Sequence, residues 1–314
     1  MAEVAVVGSC NLDLVLPVRL LPRPGETVEA VGASEGGGGK GANQAVALAR
    51  LGRHVAMVGT VGDGPDGDRL RALLDGEGID IAGIATVPGP SGRAIVLVEP
   101  DGESTIVVAP GANAAMTADR VDAAAETVAA ARAVMLQHEV PVEALRRATE
   151  LASGLVVLNP APARPVPPEV LARVDLLVPN RHELCELAGR SSVRDLGHLA
   201  ALAAEVAPGR DVVVTLGADG ALTLPVDGEA THVRAREVVA RDATAAGDSF
   251  CAALVDARLD GATLTEATDW ACRVAAETVT RPGAMASLPS RAAIGARGHA
   301  SAGADVVTGG AGRG

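Results

Sequence analysis

The sequence predicts an α/β fold: a mostly parallel central sheet, doubly covered by helices, with a small β-sheet lid. Three observations carry this expectation. Short apolar runs alternate with Ala- and Leu-rich helical stretches along most of the 314 residues, the pattern of strand–helix–strand units. Those runs are continuously apolar, as strands buried on both faces must be. Two segments, residues 12–33 and 93–108, have strand character without helices of their own, which sets them apart as a second, smaller sheet. In chain order, Val4 to Val7 opens the main sheet, and residues 55–58, 133–136, 155–158, 175–178 and 212–215 continue it. Helical stretches flank these runs; Ala45 to Leu51, for example, is closed by Gly52, a residue that ends helices because it takes a left-handed conformation at no steric cost. The organised region covers residues 1–295. From 296 to Gly314 the chain is rich in Gly and Ala without a sustained period, which predicts a disordered tail.

Composition excludes several classes of function. Apolar residues make up 48% of the chain and the net charge is -12, the profile of a globular protein with a large core. An acidic balance of this size argues against a nucleic-acid partner or an anionic membrane surface, because either needs a basic footprint. No uncharged apolar stretch approaches the roughly 18 residues of a membrane span, and Met1-Ala2-Glu3-Val4 has no basic leader of the kind that opens a signal peptide. Cys10, Cys185, Cys251 and Cys272 follow neither a metal spacing nor a disulfide framework, so reduced thiols in a cytoplasmic protein are expected. The six histidines share no spacing, and no zinc site is expected.

Two glycine-bearing segments carry the chemistry. Asp242-Ala-Thr-Ala-Ala-Gly-Asp248 precedes an Ala-rich helical run. Unpaired N–H groups in a first helical turn attract phosphate or developing negative charge. An acid in such a place repels phosphate unless it accepts a proton from an attacking hydroxyl, whereas the plainer alternative is an Asp that caps the helix. The second segment, Gly36-Gly37-Gly38-Gly39-Lys40-Gly41-Ala42-Asn43-Gln44, satisfies G-x-G-x-x-G only because it is so rich in glycine, and no buried strand leads into it, which speaks against a dinucleotide fingerprint. It is not a P-loop either, since Gly41 follows Lys40 where Ser or Thr is required. What remains is a loop open to close backbone approach, with one cation and one amide, suited to a polyol.

Together these segments resemble the two signatures of the ribokinase-like (PfkB) carbohydrate kinases. Further short matches run in the same order along nearly the whole chain, among them Gly8-Ser9-Cys10-Asn11-Leu12-Asp13, Gly111-Ala112-Asn113, Gln137-His138-Glu139, Asn159-Pro160-Ala161, Asn180-Arg181-His182-Glu183, Thr215-Leu216-Gly217 and Arg281-Pro282-Gly283-Ala284. The resemblance implies ATP-dependent phosphorylation of a sugar hydroxyl, with conversion of D-ribose to ribose 5-phosphate as the first expectation. Asp248 would be the general base, and the backbone N–H groups of Ala245, Ala246 and Gly247 the anion hole. Asn11, Asp13, Gly39, Lys40, Asn43 and Glu139 would hold the sugar. The alternatives are an Asx-turn for Asn11 and Asp13, a plain surface lysine, and a solvated loop acid for Glu139. For ATP the resemblance implies Asn180, Glu183, Thr215, Gly217, Gly220 and Gly247, with Asn180 alternatively a helix cap. A divalent cation, Mg²⁺ or another, is expected beside the phosphates.

The resemblance also implies a potassium site at Asp242, Thr244, Thr278, Arg281, Gly283 and Ser287, against the alternative that Asp242 pairs with Arg281 or caps the loop. Exposed strand edges on a lid need covering, which predicts a lid-to-lid homodimer. Three positions depart from the family pattern: Ala243 in place of a hydroxyl residue, Trp270-Ala271-Cys272 near the expected adenine helix, and the extra glycines Gly36 and Gly37, which predict a looser lid junction. Other readings remain: a kinase for another sugar or a nucleoside, a non-catalytic sugar-binding protein, and a dinucleotide oxidoreductase. With no Tyr and a single Phe, few side chains could stack on a nucleobase, which weighs against a nucleoside acceptor.

Overall fold

A computed structural model describes residues 2–100, 104–295 and 304–307. The first part of the chain forms β1 (Val4–Val7), β2 (Asn11–Pro17), β3 (Ser34–Gly38), α1 (Lys40–Arg50), β4 (Val55–Gly62), α2 (Pro65–Gly76), β5 (Ile84–Val87), β6 (Gly92–Val98) and β7 (Ser104–Ala109). Next come α3 (Ala118–Asp122), α4 (Ala125–Ala130), β8 (Ala133–Gln137), α5 (Val142–Leu151), β9 (Leu155–Asn159), α6 (Pro168–Leu171), β10 (Leu176–Leu177), α7 (Arg181–Leu187) and α8 (Leu196–Val206). The last part holds β11 (Asp211–Thr215), β12 (Ala221–Leu224), β13 (Thr231–Val233), α9 (Ala246–Leu259), α10 (Leu264–Thr278), α11 (Arg291–Ile294) and β14 (Ala304–Val306).

A ten-stranded sheet runs in the order β14-β13-β12-β11-β10-β9-β8-β1-β4-β5. It is parallel from β11 to β5 and antiparallel across β11, β12, β13 and β14. Alternation along its strands builds two cores. Val4, Val6, Met57, Met135 and Val213 face α1, α9 and α10, while Ala5, Val7, Val58, Leu136 and Val214 face α5, α7 and α8. Strands covered on both sides are continuously apolar for this reason. Helix α9 is buried from Asp248 to Ala257, so it has no polar face and lies inside the layer.

The smaller sheet has four strands in the order β3-β2-β6-β7. Its β6 and β7 cover the segment expected at 93–108 and extend one residue beyond it at each end, and residues 101–103 lie outside the described residues. In the segment expected at 12–33, only β2 is a strand; beyond Pro17 the chain is irregular apart from a bridge between Val18 and Ala30. The glycine tract differs from expectation. Ser34 to Gly38 is a strand, paired antiparallel to β2 with Gly37 opposite Leu12 and Gly36 opposite Asp13, so the extra glycines are held in register and do not loosen the junction. Periodicity could not reveal a strand almost without side chains.

The tail expectation is corrected in one place. Ala304–Val306 pairs antiparallel with β13 and extends the main sheet, because the open edge of β13 supplies backbone partners that no local sequence pattern records. Residues 296–303 and 308–314 lie outside the described residues.

Candidate active site

From β1 the chain builds outward through β4 and β5 and later resumes on the opposite side at β8, so strand order reverses between β1 and β8. Open α/β sheets bind ligands in the crevice beyond such a switch point. Here a cavity of about 370 Å³ opens between the main sheet and the inner face of the small one. Of the residues predicted from sequence, Asn11, Asp13, Gly39, Lys40, Asn43, Glu139, Asn180, Glu183, Thr215, Asp242, Thr244, Ala245, Gly247 and Asp248 line it. Ala246, Gly217, Gly220, Thr278, Arg281, Gly283 and Ser287 do not.

Asp248 lies in the first turn of α9 and is 5% exposed. The Asn43 Nδ2 donates to its Oδ2 at 2.9 Å, and the Gln44 Nε2 donates to its Oδ1 at 3.1 Å. Burial pushes the carboxyl pKa up, and the Lys40 ammonium with these two amides opposes that rise only in part. A buried carboxylate raised in this way is a stronger base than an exposed one. The turn before it is set by Ala245, with φ of 60°. A side chain there costs energy and persists only where the surroundings hold it. The Ala246 N–H turns back onto the Ala243 carbonyl at 3.2 Å. Among the described residues the Gly247 N–H has no backbone acceptor, and a Cβ at Gly247 would meet nothing within 4 Å. Of the expected anion hole, Ala246 is thus committed to the turn.

On the opposite wall, glycines admit polar side chains. A Cβ at Gly38 would fall 1.9 Å from Asp13 Oδ2, and one at Gly92 would fall 2.2 Å from Asn11 Oδ1. Gly39 has φ of 86° and its Cβ would come 2.8 Å from the Asn11 nitrogen. Asn11 is oriented by Asn113, whose Nδ2 donates to its Oδ1 at 2.7 Å while the Cys10 N–H donates to Asn113 Oδ1 at 2.9 Å. Glu139 accepts from the Lys40 N–H at 2.9 Å and from Ser9 Oγ, so it caps the start of α1 and is not a solvated acid. Asp13 Oδ1 and Asn43 Oδ1 are buried acceptors with no donor among the described residues.

The site gathers carboxylates around one ammonium. Burial, then Glu139 and Asp248, push the Asp13 pKa up to about 7. Lys40, the only lysine in the chain, is held above its usual pKa: burial works against the ammonium, and Asp248, Glu139 and Glu183 outweigh it. Burial also raises Glu183.

Toward the other end of the cavity, Asn180 caps α7. Its Oδ1 accepts from the Glu183 N–H at 2.8 Å and the Glu183 carboxylate accepts from the Asn180 N–H at 2.8 Å, a reciprocal capping box. The capping alternative therefore holds geometrically, while both residues still line the cavity. Gly217 (φ 63°) and Gly220 (φ 97°) shape the turn after β11 that sets Thr215 in the wall. Asp242 accepts from the Thr244 N–H at 2.8 Å and the Gly283 N–H at 2.7 Å. Arg281 pairs with Glu277 instead, so the Asp242–Arg281 pair is not formed, whereas the loop-capping alternative matches the two N–H groups that Asp242 accepts. Thr278 Oγ1 lies 2.9 Å from the Val274 carbonyl within α10 and 2.8 Å from Ser249 Oγ, so its single hydrogen serves one of the two, and Ser287 Oγ donates to the Ala284 carbonyl.

Sequence reasoning did not single out Ser9, Gln44, Asn113, Gln137 or Asn159 as site residues. All five lie inside the motifs quoted above, and their polar side chains beside apolar strands were the available signal.

A crevice at a strand-order switch, a polyol-sized polar wall and an acid at a helix start define a kinase of small polyhydroxyl substrates. Comparison with known proteins agrees. Residues 1–291 match the pfkB family carbohydrate kinase profile. The ribokinase of Schizosaccharomyces pombe is 36% identical over 304 residues, covering 92% of this chain and 96% of that protein. A deoxyribokinase of Salmonella typhi is 35% identical over 295 residues, covering 92% and 96%. Among solved structures, ribokinase from Thermotoga maritima superposes with a TM-score of 0.84 at 32% identity, covering 94% of this chain and 98% of that one. Arabidopsis thaliana ribokinase complexed with ribose and ATP gives 0.85 at 30%, covering 93% and 97%. The chain belongs to the pfkB family of carbohydrate kinases, and it is an ATP-dependent sugar kinase.

Proposed function

We propose that the chain transfers the γ-phosphoryl group of ATP to a hydroxyl of D-ribose, giving ribose 5-phosphate and ADP. The observation that carries the sugar subsite is the pair of buried, donorless acceptors, Asp13 Oδ1 and Asn43 Oδ1, within the wall that also holds Asp248. Buried acceptors without donors are costly, and a sugar supplies hydroxyl donors at close spacing. The sugar oxygen attacks the γ-phosphorus while its proton passes to the Asp248 carboxylate; the bond to the ADP oxygen breaks and ADP leaves with the electron pair. Lys40 and the N–H groups of residues 245–247 face the charge that develops, with Ala246 needing to leave Ala243 to take part.

A divalent ion would neutralise phosphate charge. Glu183, which lines the cavity, together with phosphate oxygens and water would fit Mg²⁺, which takes few protein ligands. The carboxylate of Asp242, tied to the 283 turn, belongs to an all-oxygen donor set that suits a hard monovalent cation such as K⁺. The small sheet acts as a lid that keeps water from the γ-phosphate, and two lids pair in a homodimer. Four free, buried cysteines accord with a cytoplasmic location, and no helix of the described residues is long and apolar enough to cross a membrane.

The deoxyribokinase relatives keep 2-deoxyribose open as acceptor. A nucleoside is disfavoured because Phe250 and Trp270 are buried at 4% and 2% exposure and, among the described residues, no aromatic side chain lines the cavity. ADP release over a panel of pentoses, deoxypentoses, hexoses and nucleosides tests the reading. Ribose should give the highest kcat/KM; a hexose or nucleoside ahead of it would reject ribose as the substrate.

A further inference from the structure

The carboxylate of Asp248 ends a chain of side-chain amides that crosses the sheet. The far end is fixed by the main chain. Asn159 Nδ2 donates to the Val178 carbonyl at 2.8 Å; a carbonyl only accepts, so the Asn159 oxygen must point the other way. Gln44 Nε2 donates to that oxygen at 3.3 Å and to Asp248 Oδ1 at 3.1 Å. Both its hydrogens are then used. Its Oε1 faces Gln137, whose Nε2 donates to it at 2.7 Å. Gln44 and Gln137 are 0% exposed and Asn159 8%. Reversing one amide would set donor against donor or acceptor against acceptor, and each unpaired buried group costs energy. One main-chain carbonyl thus decides the direction of the hydrogen bond into Asp248.

We propose that Gln44 is a positioning residue for phosphoryl transfer: it fixes the orientation of the Asp248 carboxylate and favours its ionised form. The inference rests on Asp248 as the base. Groups facing Asp248 come from several elements: Lys40 on α1, Glu139 after β8, Asp13 on β2, Glu183 on α7 and Cys251 on α9 itself. Three carboxylates and burial oppose the anion, and Lys40 favours it. The neutral donors Asn43 and Gln44 supply the remaining support, since hydrogen bonds to a charged form lower its cost. Asn43 lines the cavity and has a buried acceptor without a donor among the described residues, whereas Gln44 is absent from the wall. Losing Gln44 should therefore change the chemical step and leave binding almost untouched.

The test uses the full chain with Gln44→Met and Gln44→Glu, the phosphoryl-transfer step being followed by single-turnover quench so that product release does not hide it. In Gln44→Met the acid limb of the rate–pH profile should move up by about one pH unit, as a lost hydrogen bond to the carboxylate requires. The sugar and ATP dissociation constants should change less than about twofold, and the rate should recover at high pH, as uniform binding loss would not allow. Gln44→Glu keeps the size and reverses the polarity, so its limb should move further, and it stands in if the Met variant does not fold. A limb that stays in place in the folded variants, or a loss of rate equal at every pH, overturns the proposal. Asp248→Asn run alongside separates the two readings. If it turns over normally the base assignment fails; if it is inactive and the Gln44 limb has not moved, only the positioning role fails.

Discussion

Asp248 combines full burial with two amide donors and a nearby ammonium, a setting that keeps a carboxylate basic without letting it go permanently neutral. Asp248→Asn preserves size and removes the proton acceptor, at the cost of one of the two amide hydrogen bonds, so sugar and ATP binding should persist while turnover falls by about 10²–10⁴-fold; calorimetric binding together with rate measurement checks it. Asp13 makes a second prediction through its pKa of about 7. Between the ordinary carboxylate value and 7 the folded, ligand-free protein holds a proton that the unfolded chain has lost, so this contribution to stability is complete at low pH and disappears as pH rises through 7. Asp13→Asn, always neutral, should raise the melting temperature of the free protein at pH 8 by about 2–4 °C more than at pH 4. Equal effects at both pH values would show that Asp13 titrates normally. At Lys40 the ammonium starts α1 among Asp248, Glu139 and Glu183. A guanidinium keeps the charge but is planar and larger, so Lys40→Arg should lower kcat/KM by about tenfold or more.

Elements set these residues through their ends. Strand β3 has glycines because β2 sends the Asp13 carboxylate across it; at Gly38 a methyl would fall 1.9 Å from Asp13 Oδ2. Gly38→Ala should accordingly weaken sugar binding with little change in global stability, which ligand titration and thermal unfolding distinguish. Helix α9 starts from the left-handed Ala245, and the loop before it is tied through Asp242 to Gly283. The turn beyond is held in place by Arg50, which donates to the carbonyls of Met285 and Leu288 at 2.8 and 2.7 Å. A cation at Asp242 would fix the peptide dipoles of residues 243–247 before reaction, on which electrostatic stabilisation depends. Rates at equal ionic strength should be several-fold higher in potassium than in a bulky organic cation, and Asp242→Ala should abolish the difference. Equal rates in both salts would reject the ion site.

At the scale of the molecule, the small sheet leaves β3 and β7 as edges and exposes Ile95, Ile106, Val107 and Val108 at 39%, 53%, 60% and 45%. Open strand edges beside apolar side chains invite pairing. Sedimentation at micromolar concentration should show a dimer that Val107→Glu dissociates; a fully active monomer of the unaltered chain would contradict lid-to-lid pairing. Ion pairs join this sheet to helix α2, from Arg93 to Asp66 at 2.7 Å and from Glu35 to Arg69 at 3.0 Å. They are exposed and therefore weak individually, compatible with a lid that shifts as substrate enters.

The sequence by itself determined the layer architecture, because strands covered on both faces must be continuously apolar, and this pattern marks Val4–Val7 and residues 133–136 and 155–158 without reference to any partner. It also marked Asp248 and the Gly38–Asn43 segment, since a carboxylate, a cation and close-approach glycines are local properties, although that segment is a strand end and a helix start rather than a loop. Tertiary structure alone decided the rest. Ser34–Gly38 and Ala304–Val306 are strands because of the edges they meet, β2 and β13, and backbone pairing leaves no trace in side-chain periodicity. Gln44, Asn159 and Gln137 lie far apart in sequence, and the hydrogen-bond direction that joins them to Asp248 is set by a carbonyl on yet another segment. A buried polar chain has meaning only once every donor has found its acceptor, and that matching exists in three dimensions alone.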